Sequence, residues 1–414
     1  MNLRAFLLVC LLIPLGALAQ KKEKPRLLIY GSNSEAWVAA WQAVKSNVPT
    51  VLVYDREFDA QEVMVKFARR ARESPKSDSL VKDQDSLNLM RDNGVGENEF
   101  NIGLSPFMTE IDDKTVKELK KSKKGWQVTL SDNQKFNVIA IIDASENSDL
   151  LKMSNLDVGQ TDRQDFTLPS DMSLEMSRTT LASLNMDSLT RVVFLDDLLK
   201  SQKDNIFDLG IARKYILHRY LKQDGMGDDL STVPYAKALG ATAGYLAFFK
   251  TDASKIDIRK LQAELINFSD EIVPYQDVNL KDDHFKAIVK CYLTGFFLGN
   301  KKSNKYIFDG QAAVKFSEIK PVLNDIYTRS QLWFLDNYRE DDLRWKDLIS
   351  LIKFVSFKGD EVERQLQKNW TTKLKFSGDY NPQNIVTREQ FAVVTDLYST
   401  AFAKAIKIDG NFLK

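Results

Sequence analysis

The sequence predicts an α/β fold: a parallel sheet covered by helices, followed by a mostly helical C-terminal part. Three observations predict it. Residues 27–55 read LLIYGSNSEAWVAAWQAVKSNVPTVLVYD, an apolar run, a glycine turn, an Ala- and Trp-rich helical stretch and a second apolar run. Residues 136–142, FNVIAII, form a continuous apolar run, the pattern of a strand buried on both faces of a parallel sheet. From about Asp270 the chain turns helical and aromatic, with a weak internal duplication.

At the N-terminus, Arg4 precedes an apolar stretch, and Ala17-Leu18-Ala19 offers a small-residue cleavage site before Gln20. This pattern reads as a signal peptide over residues 1–19, too short to span a bilayer. The mature chain is expected to be exported, periplasmic or extracellular and cell-envelope associated, with no transmembrane span. Cys10 lies in the removed segment, so Cys291 is the one cysteine left. Neither an intramolecular disulfide nor a thiolate metal site can then be assembled, and His218 and His284 are too few for a histidine cluster. No metal is expected. Lys and Arg total 58 against 57 Asp and Glu, which gives no basic excess for a nucleic-acid partner. The 414 residues, 43% apolar and 28% charged, suit two or three globular domains. Glycine is scarce, 18 residues or about 4% against a usual ~7%.

Taken in order, residues 27–30 read as a strand, Gly31 as a turn, the next residues to Lys45 as a helix, and 51–54 as a strand ending at Asp55. In a nucleotide-binding βαβ unit one glycine makes the turn, a second admits the pyrophosphate and a third lets helix pack on strand. An acid about 20 residues on holds the ribose. Gly31, Asn33, Ala36 and Asp55 stand in those places. Residues 60–72 read as a helix, 73–85 as a surface loop, 125–130 as a strand with a turn after it, and 136–142 as one strand ending at Asp143. Residues 160–189 carry weak periodicity, and 192–220 read as helical. Gly240 begins a helix to Phe249, and 256–266 forms another.

These residues resemble the FAD-dependent oxidoreductase family with a glutathione-reductase-like Rossmann domain. Tyr30 to Ala36 looks like its phosphate loop. Ile142 to Leu150 looks like the strand end that lies against the flavin's ribityl chain, through Ala144 and Ser145. Leu239 to Tyr245, with 256–262 after it, looks like its Gly-rich helix start. The resemblance implies a discontinuous, Rossmann-like FAD/NAD(P)-binding-type domain over 24–150 and 225–268, with 151–224 as a shortened insertion. It also implies FAD against Gly31, Asn33, Ala36, Asp55, Ala144, Ser145, Gly240 and Gly244. The chain departs from the family at the cofactor. Asn33 replaces a glycine and crowds the pyrophosphate, and Glu35 competes with phosphate for the positive end of the helix. Ser145 replaces Thr, and Glu146 replaces Gly. FAD binding is therefore expected to be weak or lost, and no catalytic residue is assigned. Gly240 and Gly244 also suit plain helix packing, and Asp55 a strand-end cap.

The C-terminal part, 269–414, resembles a pair of S-layer-homology repeats. Residues 386–391, VTREQF, match that family's Thr-Arg helix start, with Thr387 as N-cap and Arg388 as a ligand contact. In the other copy Lys315-Phe316 stand there. The resemblance implies an anionic cell-wall glycan, against a helical module that merely packs on the first domain. His284 is read as core or interface, His218 as surface, and Cys291 as a buried inert thiol. Asp282-Asp283 and Asp341-Asp342 read as solvated faces or caps. Three functions stay open: a non-catalytic, envelope-associated binding protein with an unknown protein or glycan partner; an FAD-dependent oxidoreductase of unknown substrate; and a glycan-binding anchor.

Overall fold

The computed structural model describes residues 24–58, 106–156, 172–186, 189–209, 233–268, 270, 272–298, 300–302 and 305–413. The expected signal peptide, the helix and loop over 60–85 and His218 lie outside them.

The first unit forms as its pattern dictates. Strand β1 (Leu27–Tyr30) turns at Gly31 into helix α1 (Ser34–Lys45), and β2 (Thr50–Val53) returns parallel to β1. Strand β3 (Met108–Ile111) adds parallel to β2, and an antiparallel meander follows: β4 (Val116–Ser122), β5 (Gly125–Leu130) and β6 (Lys135–Val138). The apolar run 136–142 is not one strand. Its first part stays with β5, and β7 (Ala140–Asp143) pairs parallel with β1. Ile139 marks the change of sheet, its N–H donating to Arg26 O at 2.7 Å. In the first half Phe136 and Val138 alternate with the exposed Asn137, while β7 is buried throughout, so the change from alternation to a continuous run marks the break.

After the short helix α2 (Asp149–Met153) come α3 (Leu174–Arg178) and the hairpin β8 (Thr180–Met186) and β9 (Leu189–Phe194). Then follow α4 (Leu195–Lys200), β10 (Gln202–Lys203) and β11 (Ile206–Asp208). The helix expected from Val192 is thus replaced, as far as Leu209, by the end of β9, one short helix and the strands β10 and β11. Val192-Val193 and Ile206-Phe207 are β-branched or aromatic pairs that favour pleated surfaces. Helix α5 (Val233–Phe249) begins seven residues before Gly240, and α6 (Ile258–Asn267) follows.

The six-stranded sheet runs β10-β11-β7-β1-β2-β3, all parallel except β10. Its two faces divide by alternation. Leu27, Ile29, Leu52, Ile142 and Phe207 face a core shared with α1, α5 and the C-terminal helices, while Leu28, Val51, Val53, Ile141 and Ile206 pack with Trp126, Val128 and Leu130 of the meander. Strand order reverses at β1, flanked by β2 and β7. In open parallel sheets a crevice for ligands lies outside the carboxyl ends of the strands at such a point.

The C-terminal part comprises α7 (Phe285–Thr294), the hairpin β12 (Asn300–Lys302) and β13 (Lys305–Ile307), and helices α8 (Phe316–Ile326), α9 (Ser330–Asn337), α10 (Trp345–Ser356), α11 (Glu361–Asn369) and α12 (Arg388–Tyr398). Its centre is a closed ring of three backbone bonds. Val314 N–H donates to Val386 O (3.0 Å), Val386 N–H to Leu343 O (2.9 Å), and Leu343 N–H to Val314 O (2.7 Å). Each of these residues precedes a helix by two positions, so α8, α10 and α12 start equivalently. The sequence reading of two copies omitted the middle one. Two arginines join this part to the rest. Arg178 Nε donates to Thr294 O (3.1 Å) and Arg259 Nη1 to Leu293 O (3.0 Å), which satisfies the last carbonyls of α7. Burial, with the nearby charge of Arg178, holds the Arg259 guanidinium down at about 9.

Candidate functional site

The crevice at the ends of β1, β2 and β7 is built from three turns. Gly31 has φ +142°, and a Cβ there would lie 2.6 Å from Ala144 O, so the turns after β1 and β7 meet only because this residue is glycine. Asn33 is the N-cap of α1: its Oδ1 accepts from Ala36 N–H at 2.9 Å. Its Nδ2 donates to Ala144 O at 2.6 Å. The structure therefore brings Gly31, Asn33, Ala36 and Ala144 together, with the Asn33 amide clamped between helix end and facing turn.

Asp55 reaches the same place through Ser32. Ser32 Oγ lies 2.6 Å from Asp55 Oδ1 and accepts from Arg56 N–H at 3.0 Å. From the next residue the Arg56 Nη2 crosses to Glu146 Oε1 at 2.6 Å, so an ion pair spans from the turn after β2 to the turn after β7. Neither Ser32 nor Arg56 was singled out from sequence. The only hint was their position, one residue after the turn glycine and one after the acid.

Ser145 serves the chain rather than the crevice. Its Oγ donates to Asp143 Oδ1 at 2.6 Å, and Asp143 Oδ2 accepts from Leu150 and Leu151 N–H at 2.7 and 3.0 Å, closing the N-terminus of α2. Asp143 is fully buried, and desolvation outweighs these bonds, raising its carboxyl to about 6. The buried carboxylate of Asp208, its register partner on β11, adds to the rise. Burial, then the charges of Asp55 and Asp149, raises Tyr30 to about 12.

Gly240 and Gly244 are not at a helix start. They lie within α5, against α1: a Cβ on Gly240 would strike the Ala39 carbonyl oxygen, and one on Gly244 would sit 3.5 Å from Ala43 Cβ. Arg388 points inward as well. Its Nη1 donates to Phe308 O (2.8 Å) and its Nη2 to Glu318 Oε1 (2.7 Å), tying α12 to α8. Thr387 caps α12, its side chain accepting from Gln390 N–H. His284 Nδ1 lies 2.6 Å from Glu389 Oε1 and Nε2 2.7 Å from Leu374 O. Both partners are pure acceptors, so both ring nitrogens must donate, and the imidazole is held charged. Cys291 is buried, which pushes its thiol well above the usual range. Among the described residues no group of acidic, His or Cys side chains is placed to hold a metal, and no helix is long and apolar enough to cross a membrane.

Toward a dinucleotide the residues of this crevice divide. Gly31 and the acid at Asp55 suit one, but the N-terminus of α1 that would receive the pyrophosphate already holds the Asn33 amide. The Arg56–Glu146 pair lies across the turns, and the Asp55 carboxylate is engaged by Ser32.

What the geometry defines is an α/β protein with a central parallel sheet, a meander on one face, a crevice at its switch point and a helical C-terminal part. No family model matches the chain, and no curated protein matches it. Solved structures similar to it include the thioredoxin reductase of T. acidophilum, at 14% identity over 28% of this chain and 34% of that one, TM-score 0.18. Bacillithiol disulfide reductase Bdr from Staphylococcus aureus is similar at 11% identity over 30% and 38%, TM-score 0.20. Tetracycline destructase Tet(51) is similar at 10% over 33% and 42%, TM-score 0.22. The matched stretch spans 34% to 42% of those three chains.

Proposed function

We propose that this chain is an exported, envelope-associated binding protein built on the fold of FAD-dependent oxidoreductases, with its cofactor crevice closed by its own side chains and no catalysis of its own. The observation that carries this reading is the Asn33 amide, which satisfies Ala36 N–H and Ala144 O at once. A helix N-terminus in such a crevice normally offers its free N–H groups to phosphate, and here one of them is already taken. A working FAD-dependent oxidoreductase is the second reading, favoured by the close Gly31–Ala144 approach and by Asp55 at the crevice edge. The glycan-anchor reading loses its nominated contact, since Arg388 is spent on Glu318 and Phe308.

The test is the visible absorbance spectrum of the chain from Gln20, purified and then incubated with excess FAD. The proposal expects a folded, colourless protein that stays colourless after gel filtration. A flavin band near one per chain would overturn it and establish the second reading.

A further inference from the structure

The most exposed large apolar side chains among the described residues are Phe357 (82%), Leu335 (79%) and Leu332 (59%). All three belong to one corner of the C-terminal part, the outward face of α9 and the end of α10. Phe357 is also held in the left-handed region, at φ 54°, a conformation a bulky residue rarely adopts. Beside it, between α9, α10 and α11, lies a groove of about 500 Å³. Four cations line it, Arg329, Lys346, Lys353 and Lys358, against a single lining carboxylate, Glu363, which accepts from the Tyr380 hydroxyl at 2.8 Å. At the rim Lys353 pairs with Asp360. Glu361 also faces Lys353, so four cations meet three carboxylates and one positive charge is left over.

The Arg329 guanidinium lies 4.3 Å from the Phe354 ring and 3.8 Å from the Phe357 ring. Its Nη1 is buried and has no hydrogen-bond acceptor. Two aromatic faces stand in for an acceptor there. Cations around an outward Phe, with Leu332 and Leu335 nearby, match the chemistry of a lipid interface: phosphate oxygens at the depth of the charges and apolar side chains below the headgroups. Exposed apolar patches rimmed by charge mark contact surfaces.

We infer that this corner docks on an anionic phospholipid surface, with a headgroup phosphate in the groove against Arg329 and the Phe357 ring in the interface. The inference refines the envelope-associated reading by naming the surface contacted. Its test needs no flavin, so its failure is distinct from a failure of the closed crevice.

The experiment is co-sedimentation of the chain lacking residues 1–19 with vesicles of phosphatidylcholine alone or mixed with phosphatidylglycerol. The expected result is binding to the mixed vesicles only, reversed by added salt. Phe357→Asn keeps a residue tolerant of the left-handed conformation while removing the apolar ring, and should weaken binding. Lys346→Glu with Lys358→Glu should lower partition at least about twentyfold, since each basic side chain near such a surface contributes about fivefold. Circular dichroism confirms that each variant is folded. Absence of binding, equal binding to phosphatidylcholine alone, or wild-type binding by both variants would overturn the inference. So would calorimetric binding of inorganic phosphate, lost in the lysine variant, without vesicle partition: the groove would then serve a soluble phosphate.

Discussion

Asn33→Gly separates what the side chain does for the fold from what it does to the crevice. The Asn33 amide makes two buried hydrogen bonds, 2.9 Å from Ala36 N and 2.6 Å to Ala144 O. Each is worth about 0.5–1.5 kcal/mol net, and stranding a buried partner adds to the loss. Glycine at an N-cap by itself costs only a few tenths. The expected destabilisation is therefore about 1–3 kcal/mol, toward the low end if water enters the space. Glu146→Gly removes the ion pair to Arg56, in which both side chains are more than half exposed, and the loss of that pair should cost at most about 1 kcal/mol.

The double variant vacates the helix end and the path across the turns. If those two groups are what excludes a dinucleotide, it should take up FAD where the parent does not. At a ligand concentration of a hundred Kd it should then regain about 2.7 kcal/mol by mass action. The assays are urea unfolding followed by circular dichroism, with and without FAD, and visible absorbance after gel filtration. Two results would refute the reasoning. Asn33→Gly within about 0.5 kcal/mol of the parent would mean that the amide holds nothing. A double variant that is folded and still colourless would mean that exclusion lies elsewhere.

Two further outcomes are expected from the same measurements. Gly240→Ala should destabilise by about 1–3 kcal/mol or more, because its Cβ meets the Ala39 backbone. Gly244→Ala, with its Cβ in ordinary contact with Ala43, should be neutral or gain up to about 1 kcal/mol; similar signs at the two sites would count against the α1–α5 packing. Asp143 titrates near 6 when folded against 3.8 ordinarily, so the folded state holds the proton more tightly. Stability should fall as pH rises through that window, by up to about 3 kcal/mol, and level off above it. Asp143→Asn should flatten that slope in unfolding curves taken across it.

The β1-α1-β2 unit was legible because two independent signals agree there, apolar runs of strand length and a turn glycine whose positive φ no other residue adopts comfortably. The division at Ile139 left only a slight mark, the exposed Asn137 in an otherwise apolar stretch, and reading 136–142 as one continuous run passes over it. The middle C-terminal unit escaped for another reason. Arg344-Trp345 stand where Thr387-Arg388 stand in the last unit, so the helix starts share geometry without sharing letters. The ring of bonds through Val314, Leu343 and Val386 uses backbone groups, which leave no mark on residue type beyond burial. At the crevice, the glycine and acid positions were readable by spacing. The partners of Asp55 and Glu146 were not, because Ser32 and Arg56 become neighbours only once the strands align.

The polar groups at the crevice need hydrogen-bond partners whether or not a ligand enters, and the chain's own side chains supply several of them. The first N–H groups of α1 have no partners within the helix, and in a cofactor-binding crevice a phosphate would answer them. Here the Asn33 side chain answers one of them, Ala36 N–H, at 2.9 Å; its carbonyl takes Trp37 N–H at 3.3 Å, the first ordinary bond of the helix. The turn after β7 has its Ala144 carbonyl met by the same residue, and the Asp143 carboxylate caps α2. Asn33 thus takes up space at the helix end, caps α1 and ties it to the turn after β7. Gly31 and Asp55 likewise have roles in the fold itself: Gly31 is required by the Ala144 contact and Asp55 is held by Ser32, whether or not a ligand enters.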